Sequence, residues 1–225
     1  MVKNIKMSGK EINLLKNYPK TKRDLKKRLV SKTIQDKKLA RKFGYDFFDG
    51  NRKNGYGGYY YNPRFWKPVV KDFINYYNLK KNSKILDVGC GKGFMLHDFK
   101  DALPNIEIQG IDISKYAIKN CMLSVKPYLK FGNAKKLDYP DKYFDLAISI
   151  TTLHNLDLKD FEKAISEIQR VSKNTFITVD SYRNFNEKKR MDAWNLTALT
   201  YMSRKKWIEM FKKIGYRGDY YWFIP

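Results

Sequence analysis

Lys84-Ile85-Leu86-Asp87-Val88-Gly89-Cys90-Gly91-Lys92-Gly93, followed one helix length later by Gly110-Ile111-Asp112-Ile113-Ser114, decides how this chain is read. The run from Lys84 to Val88 is short and apolar and ends in glycines, which suits a buried parallel strand. Glycines at that point let the chain turn sharply and let a ligand approach the backbone. A Gly-x-Gly-x-Gly turn alone fits either an empty strand–helix connection or a dinucleotide site. Three further features narrow it. Asp112 closes the next apolar run about 20 residues past the glycines, where a carboxylate accepts both hydroxyls of an adenosine ribose. Asp87 stands immediately before the glycines; a carboxylate there disfavours pyrophosphate and suits an ammonium. Gly132-Asn133-Ala134 follows a third run, where an adenine edge would be read.

Outward from this stretch, strands and helices alternate. Val69, Val70, Phe73, Ile74 and Tyr77 recur at helical spacing after Pro68, so a helix runs to about Tyr77. Strands are expected at 84–88, 107–111, 128–131, 144–150 and 175–180. Helices are expected at 94–102, at 115–125 ahead of Pro127, at 158–171 and at 204–214. A last strand is expected at 220–224. This alternation predicts βαβ units around a parallel sheet in residues 67–225.

Residues 1–66 form an N-terminal helical and loop extension. The segment 24–43 places Leu25, Leu29, Ile34 and Leu39 so as to predict an amphipathic helix on the body, its basic face solvated. A loop then mixes glycine and tyrosine: Asp49-Gly50-Asn51-Arg52-Lys53-Asn54-Gly55-Tyr56-Gly57-Gly58-Tyr59-Tyr60-Tyr61. Such a loop can close over a ligand, with glycine hinges and tyrosine walls. The alternative is a surface connection held by its own aromatics.

The 225 residues, 43% hydrophobic, suffice for one full core. No apolar run of 18 or more exists, and no apolar core follows the first residues, so neither a membrane span nor a secretory signal is expected. Two cysteines, Cys90 and Cys121, make no disulfide framework, and no metal-type spacing occurs. A cytoplasmic location follows as the expectation. The net charge of +23 fits a nucleic acid, an anionic membrane surface or a small anionic substrate as partner. It fits equally a compositional drift towards Lys, Asn, Ile and Tyr.

The segment 85–93 resembles the first motif of class I S-adenosylmethionine-dependent methyltransferases. Gly110-Ile111-Asp112-Ile113-Ser114 resembles that family's ribose-binding acid. Gly132-Asn133-Ala134, Leu137 and Tyr143-Phe144-Asp145-Leu146-Ala147-Ile148-Ser149 resemble its adenine-side motif and fourth strand. The resemblance covers about residues 68–180. It implies an α/β, Rossmann-like, mostly parallel sheet of seven strands with helices on both faces, and S-adenosyl-L-methionine as cofactor above the strand ends. By that analogy Asp87, Gly89 and Gly91 border the methionyl part. Asp112 holds the ribose, Ile113 packs on the adenine, and Asn133 and Ala134 read its edge. Thr151 borders the amino-acid end. Asn133 replaces a frequent Asp, and its amide oxygen still accepts a hydrogen bond. The chain departs from the family at its end. Too few residues follow 204–214 for the usual two-stranded hairpin, so the sheet is shortened or another segment fills its edge.

The acceptor side draws on other residues. His154, in Thr151-Thr152-Leu153-His154-Asn155-Leu156 beyond the fourth strand, is the candidate base, against a structural histidine at a helix start. His97, inside a helix, reads as structural. Asp180, placed after the fifth strand, is a second candidate base. Tyr182 and Trp194 are candidate aromatic walls for a cationic nitrogen. Tyr56 and Tyr59 would supply walls from the loop, and Arg64 and Arg52 would hold a carboxylate or phosphate. These features favour N- or O-methylation of a small-molecule acceptor, anionic or amine-bearing. An RNA or other nucleic-acid methyltransferase is the alternative, motivated by charge. A cofactor-binding scaffold without catalysis is a third reading. The oligomeric state stays open.

Overall fold

The computed structural model describes residues 9–20 and 33–225. Among these residues seven strands form one sheet: β1 Lys84–Val88, β2 Glu107–Asp112, β3 Leu129–Phe131, β4 Phe144–Ile150, β5 Ser172–Tyr182, β6 Met202–Ser203 and β7 Asp219–Phe223. The order runs β3-β2-β1-β4-β5, and all the strand pairings are parallel. β6 and β7 share the outer edge of β5, pairing with residues 181–182 and 176–180 respectively.

The strands alternate between two cores, as a period of two requires. Leu86, Val88 and Ala147 join one cluster, while Ile85, Leu146 and Ile148 join the other. On the first face lie Phe161, Ile165 and Ile168 of the helix Leu158–Val171, together with Trp207 and Phe211 of the helix Arg204–Lys213. On the second face lie Val69, Val70 and Phe73 of the helix Pro63–Tyr77 and Met95, Leu96 and Phe99 of the helix Phe94–Ala102. The helices therefore cover both faces. None of the helices among the described residues is long and apolar enough to cross a membrane.

Several boundaries move. The helix expected after Pro68 starts at Pro63, with Asn62 accepting from the Arg64 amide as its cap, so the junction at 66–67 falls inside it. The helix expected over 115–125 is α-helical only over Lys115–Lys119. Asn120 ends it, and the Met122 amide donates to the Lys92 carbonyl (3.0 Å) instead of continuing the ladder. A 3₁₀ turn, Leu123–Tyr128, then carries Pro127. Of the helix expected over 24–43, residues 21–32 lie outside the described residues. The helix Ile34–Ala40 is present, but Ile34 is 71% exposed rather than laid on the body.

The usual terminal hairpin is absent from the described residues. β7 pairs directly with β5. The other edge of β7 is met by the extension, where the Ile12 amide donates to the Tyr220 carbonyl (2.9 Å) and the Tyr220 amide to the Lys10 carbonyl (3.0 Å). Asp219 accepts from the Lys10 amide (2.8 Å) and from the Tyr77 hydroxyl (2.9 Å). A segment more than 200 positions away thus caps an edge that would otherwise carry unpaired backbone groups.

Candidate functional site

A cavity of about 1350 Å³ lies at the C-terminal ends of the strands, where open parallel sheets present their ligand crevices. Of the residues singled out from sequence, Asp87, Gly89, Asp112, Ile113, Asn133, Ala134, Thr151, His154, Asp180, Tyr56, Tyr59 and Trp194 line it. Arg52 lines it as well. Gly91, Arg64 and Tyr182 are not among the lining residues. Gly91 is buried, its amide spent on Asp112; the Arg64 guanidinium lies over the Phe65 ring (4.9 Å); and Tyr182 ends β5 beside Ser203. His97 pairs with the Ser124 hydroxyl (2.8 Å) and meets the Tyr61 ring edge-on. Asp180 sits within β5 rather than after it, because the strand runs on to Tyr182.

The glycine turn is shaped by backbone needs. Gly89 has φ +88°, and its amide donates to the Ile111 carbonyl (2.7 Å). A β-carbon there would stand 2.2 Å from Thr152 Cγ2. The two Asp112 oxygens each accept one backbone amide at 2.7 Å, from Gly91 and from Ser114. Each oxygen retains lone-pair capacity for a further donor. Burial pushes the Asp112 carboxyl up, and the two amides act against that rise. Asp87 is buried with no hydrogen-bond partner for its carboxylate among the described residues. Burial, with the Asp112 charge adding to it, pushes its carboxyl up to about 7.

Beyond β2, Ile113 is 50% exposed and lines the cavity, an apolar surface for a flat ring. Asn133 Oδ1 accepts from the Lys135 amide (3.0 Å). Thr151 adopts φ +48°, an unusual conformation for a β-branched residue. Its amide is held by Thr178, through the hydroxyl (2.8 Å) and the carbonyl (3.2 Å). Strain retained at such a position commonly marks a functional site.

These groups fit S-adenosylmethionine: a partnerless buried carboxylate for an ammonium, a carboxylate fixed by amides for ribose hydroxyls, and an exposed aliphatic surface for adenine.

His154 occupies the 3₁₀ turn Leu153–Asn155. Its Nδ1 accepts from the Asp180 amide (3.1 Å) and stands 3.4 Å from Asp180 Oδ1. A neutral ring that accepts at Nδ1 carries its proton on Nε2. Burial pushes His154 down, opposed by the Asp180 charge, and pushes Asp180 up, opposed by His154. Asp180 is further set in place by β5, its carbonyl accepting from the Trp207 indole (3.0 Å).

Sequence reasoning missed Asp49 and Lys92. The Lys92 ammonium lies 2.8 and 2.6 Å from the two Asp49 oxygens and donates to the Tyr59 carbonyl (3.0 Å). Asp49 also accepts from the Tyr59 amide (2.9 Å) and the Tyr116 hydroxyl (2.7 Å). The available signal was a lysine inside the glycine turn and an acid opening a loop rich in glycine and tyrosine. Among the described residues no cluster of three or more His, Cys, Asp or Glu could hold a metal.

Residues 86–176 match the family model described as Methyltransferase domain. The tRNA (carboxymethyluridine(34)-5-O)-methyltransferase of Arabidopsis thaliana is 37% identical over 107 residues, 47% of this chain and 25% of that protein. The ajmaline N-methyltransferase of Rauvolfia serpentina is 38% identical over 101 residues, 41% of this chain and 33% of that protein. The matches thus span a third or less of these two relatives. A solved structure from Anabaena variabilis, described as a methyltransferase of an antibiotic biosynthesis pathway, has a TM-score of 0.51 at 21% identity. It covers 67% of this chain and 61% of that one, and shows the shared fold. The ordered motifs, the fold and the match over residues 86–176 agree: this segment, less than half of the chain, is similar to a methyltransferase domain, and its motifs resemble those of the class I S-adenosylmethionine-dependent methyltransferases.

Proposed function

We propose that the protein methylates a small-molecule acceptor, by N- or O-methylation, with S-adenosylmethionine as donor and the N-terminal extension closing over the site. The observation that carries this reading is one continuous cavity of about 1350 Å³ holding both donor-side groups and His154, Asp180 and Trp194. Small-ligand sites usually occupy about 300–1,000 Å³, so there is room for a donor and an acceptor together. Phe47, Phe48, Tyr56 and Tyr59 of the extension form one wall of it.

The cofactor supplies a methyl group already activated on a sulfonium sulfur, so the protein's work is alignment, exclusion of water and removal of a proton. Asp87 would hold the donor's ammonium and Asp112 its ribose hydroxyls. Asp180 is the better proton acceptor of the buried pair, because burial raises its carboxyl above the ordinary carboxylate value while the His154 lone pair is spent on the Asp180 amide. His154 would then act from Nε2–H as a donor that orients the acceptor. The two groups titrate as a pair, and turnover should fall on acidification as Asp180 takes up its proton.

Two measurements test this. Saturating S-adenosylmethionine should raise the melting temperature of the full chain, since a ligand bound only by the native state stabilises it; no shift refutes the donor site. Asp180→Asn should lower turnover about 100-fold or more while leaving cofactor affinity close to wild type. Normal turnover in that variant would remove Asp180 from the chemistry.

The second reading, an RNA acceptor, is favoured by the net charge of +23 and by the relative that is named for a tRNA substrate. Binding of bulk RNA that persists at physiological salt would move the assignment that way.

A further inference from the structure

The extension touches the donor half of the cavity at an ion pair whose hydrogen bonds are complete. Lys92 is the fourth residue of the glycine turn Gly89-Cys90-Gly91-Lys92-Gly93 and is 5% exposed. The structure gives its ammonium three partners, the two Asp49 oxygens and the Tyr59 carbonyl. Asp49 in turn takes the Lys92 ammonium, the Tyr59 amide and the Tyr116 hydroxyl. Burial raises the Asp49 carboxyl, but the lysine, the amide and the hydroxyl outweigh that and hold it below its ordinary value. Lys92 is also fixed at its backbone, its carbonyl accepting from Met122.

The pair sets two aromatic rings on the turn. Tyr59 and Phe48 come within 3.5 and 3.6 Å of where a Gly91 β-carbon would stand. Tyr59 stacks on Phe94, the first residue of the helix Phe94–Ala102, at 4.9 Å between centroids. Tyr61 extends the same contact, its hydroxyl donating to Asp98 (2.6 Å). The Gly91 amide beneath these rings holds Asp112.

We infer that Asp49 and Lys92 are positioning residues for the methyl donor: their ion pair fastens Tyr59 and Phe48 over the glycine turn, so that the extension completes the donor subsite and not only the acceptor side. This rests on the donor assignment above. It follows from connectivity. Asp49 acts on the donor through Lys92 and the turn, and Tyr59 acts through its ring, which borders the cavity.

The test is calorimetric titration of the full chain with S-adenosylmethionine, using wild type, Asp49→Asn, Lys92→Met, the double variant and Tyr59→Ala. Each single variant should bind about 10- to 100-fold more weakly, the range expected for lost hydrogen bonds to a charged group. The double variant should bind no worse than the weaker single, because the pair acts as one unit. Removing one partner of a buried pair also lowers stability. Tyr59→Ala breaks no ion pair and keeps the test valid, with folding followed by circular dichroism. Wild-type affinity in the folded Asp49→Asn or Tyr59→Ala variant overturns the inference and leaves the donor site standing. Absence of binding by the wild type instead overturns the donor site, and this inference with it.

Discussion

Replacing Asp87 by Asn should make the ligand-free protein more stable and the cofactor complex weaker. Asp87 is buried without a partner for its carboxylate, and its carboxyl is pushed from an ordinary 3.8 up to about 7. That gap corresponds to about 4 kcal/mol of cost for the ionised form once the pH exceeds both values. Asparagine has the same shape and no charge, but burying its amide costs about 1–3 kcal/mol of its own. A net gain of about 1–3 kcal/mol at pH 8 is therefore expected, or roughly 3–10 °C in melting temperature for a domain of this size. The pH dependence follows from the sign of the shift. The native value lies above the unfolded one, so the native chain keeps the proton longer. The cost is absent below about pH 4, grows as the pH rises, and is complete above about 7. The stability of the variant relative to wild type should thus increase with rising pH in melting curves from pH 4.5 to 8. Titration with S-adenosylmethionine at pH 8 should show the opposite ranking, because only the carboxylate offers an ion pair to the ammonium. A variant less stable than wild type at pH 8, or a difference that does not change with pH, would refute the reasoning.

Further substitutions address the same site. Asp112→Ala should weaken cofactor binding by at least about tenfold, measured calorimetrically, and unchanged affinity would misplace the ribose contact. Gly89→Ala should destabilise by about 2 kcal/mol or more, since its methyl would stand 2.2 Å from Thr152 and φ is +88°; chemical denaturation reads this directly. His154→Ala should reduce turnover more than cofactor affinity, and equal turnover would mark the histidine as structural.

The geometry of the proposed donor half was legible in sequence because it is local. The apolar run 85–88, the glycines and Asp112 lie within thirty positions, and each residue type answers a backbone or charge requirement at its own place. The same holds for the helix Leu158–Val171 and for β4, whose bounds agree with the expected ones. What was not legible depends on distant partners. Nothing near Asn120 announces that the Met122 amide will turn to Lys92. Nothing in Tyr182 or Arg64 tells which side of its element faces the cavity, since one further residue of strand or one turn of helix redirects a side chain. Asp49 and Lys92 are 43 positions apart, and each alone resembles an ordinary surface charge. His154 was identified as a candidate from its loop, but its tautomer follows only from the Asp180 amide facing Nδ1.

The pairing of residues 10–12 with β7 bears on the order in which the molecule assembles. The contact joins residues 209 positions apart, and closing so long a loop is entropically the last step to be favoured. β1 to β4 and their glycine turn contain the groups proposed to bind the donor and need no such closure among themselves. β7 carries Tyr221 and Phe223 into the cavity wall, so the acceptor side should mature after the donor side. The same edge should be first to open. Amide exchange at Ile12 and Tyr220 should outpace that at Ile111 and Ile148, with matched rates at all four pointing to a single cooperative unit.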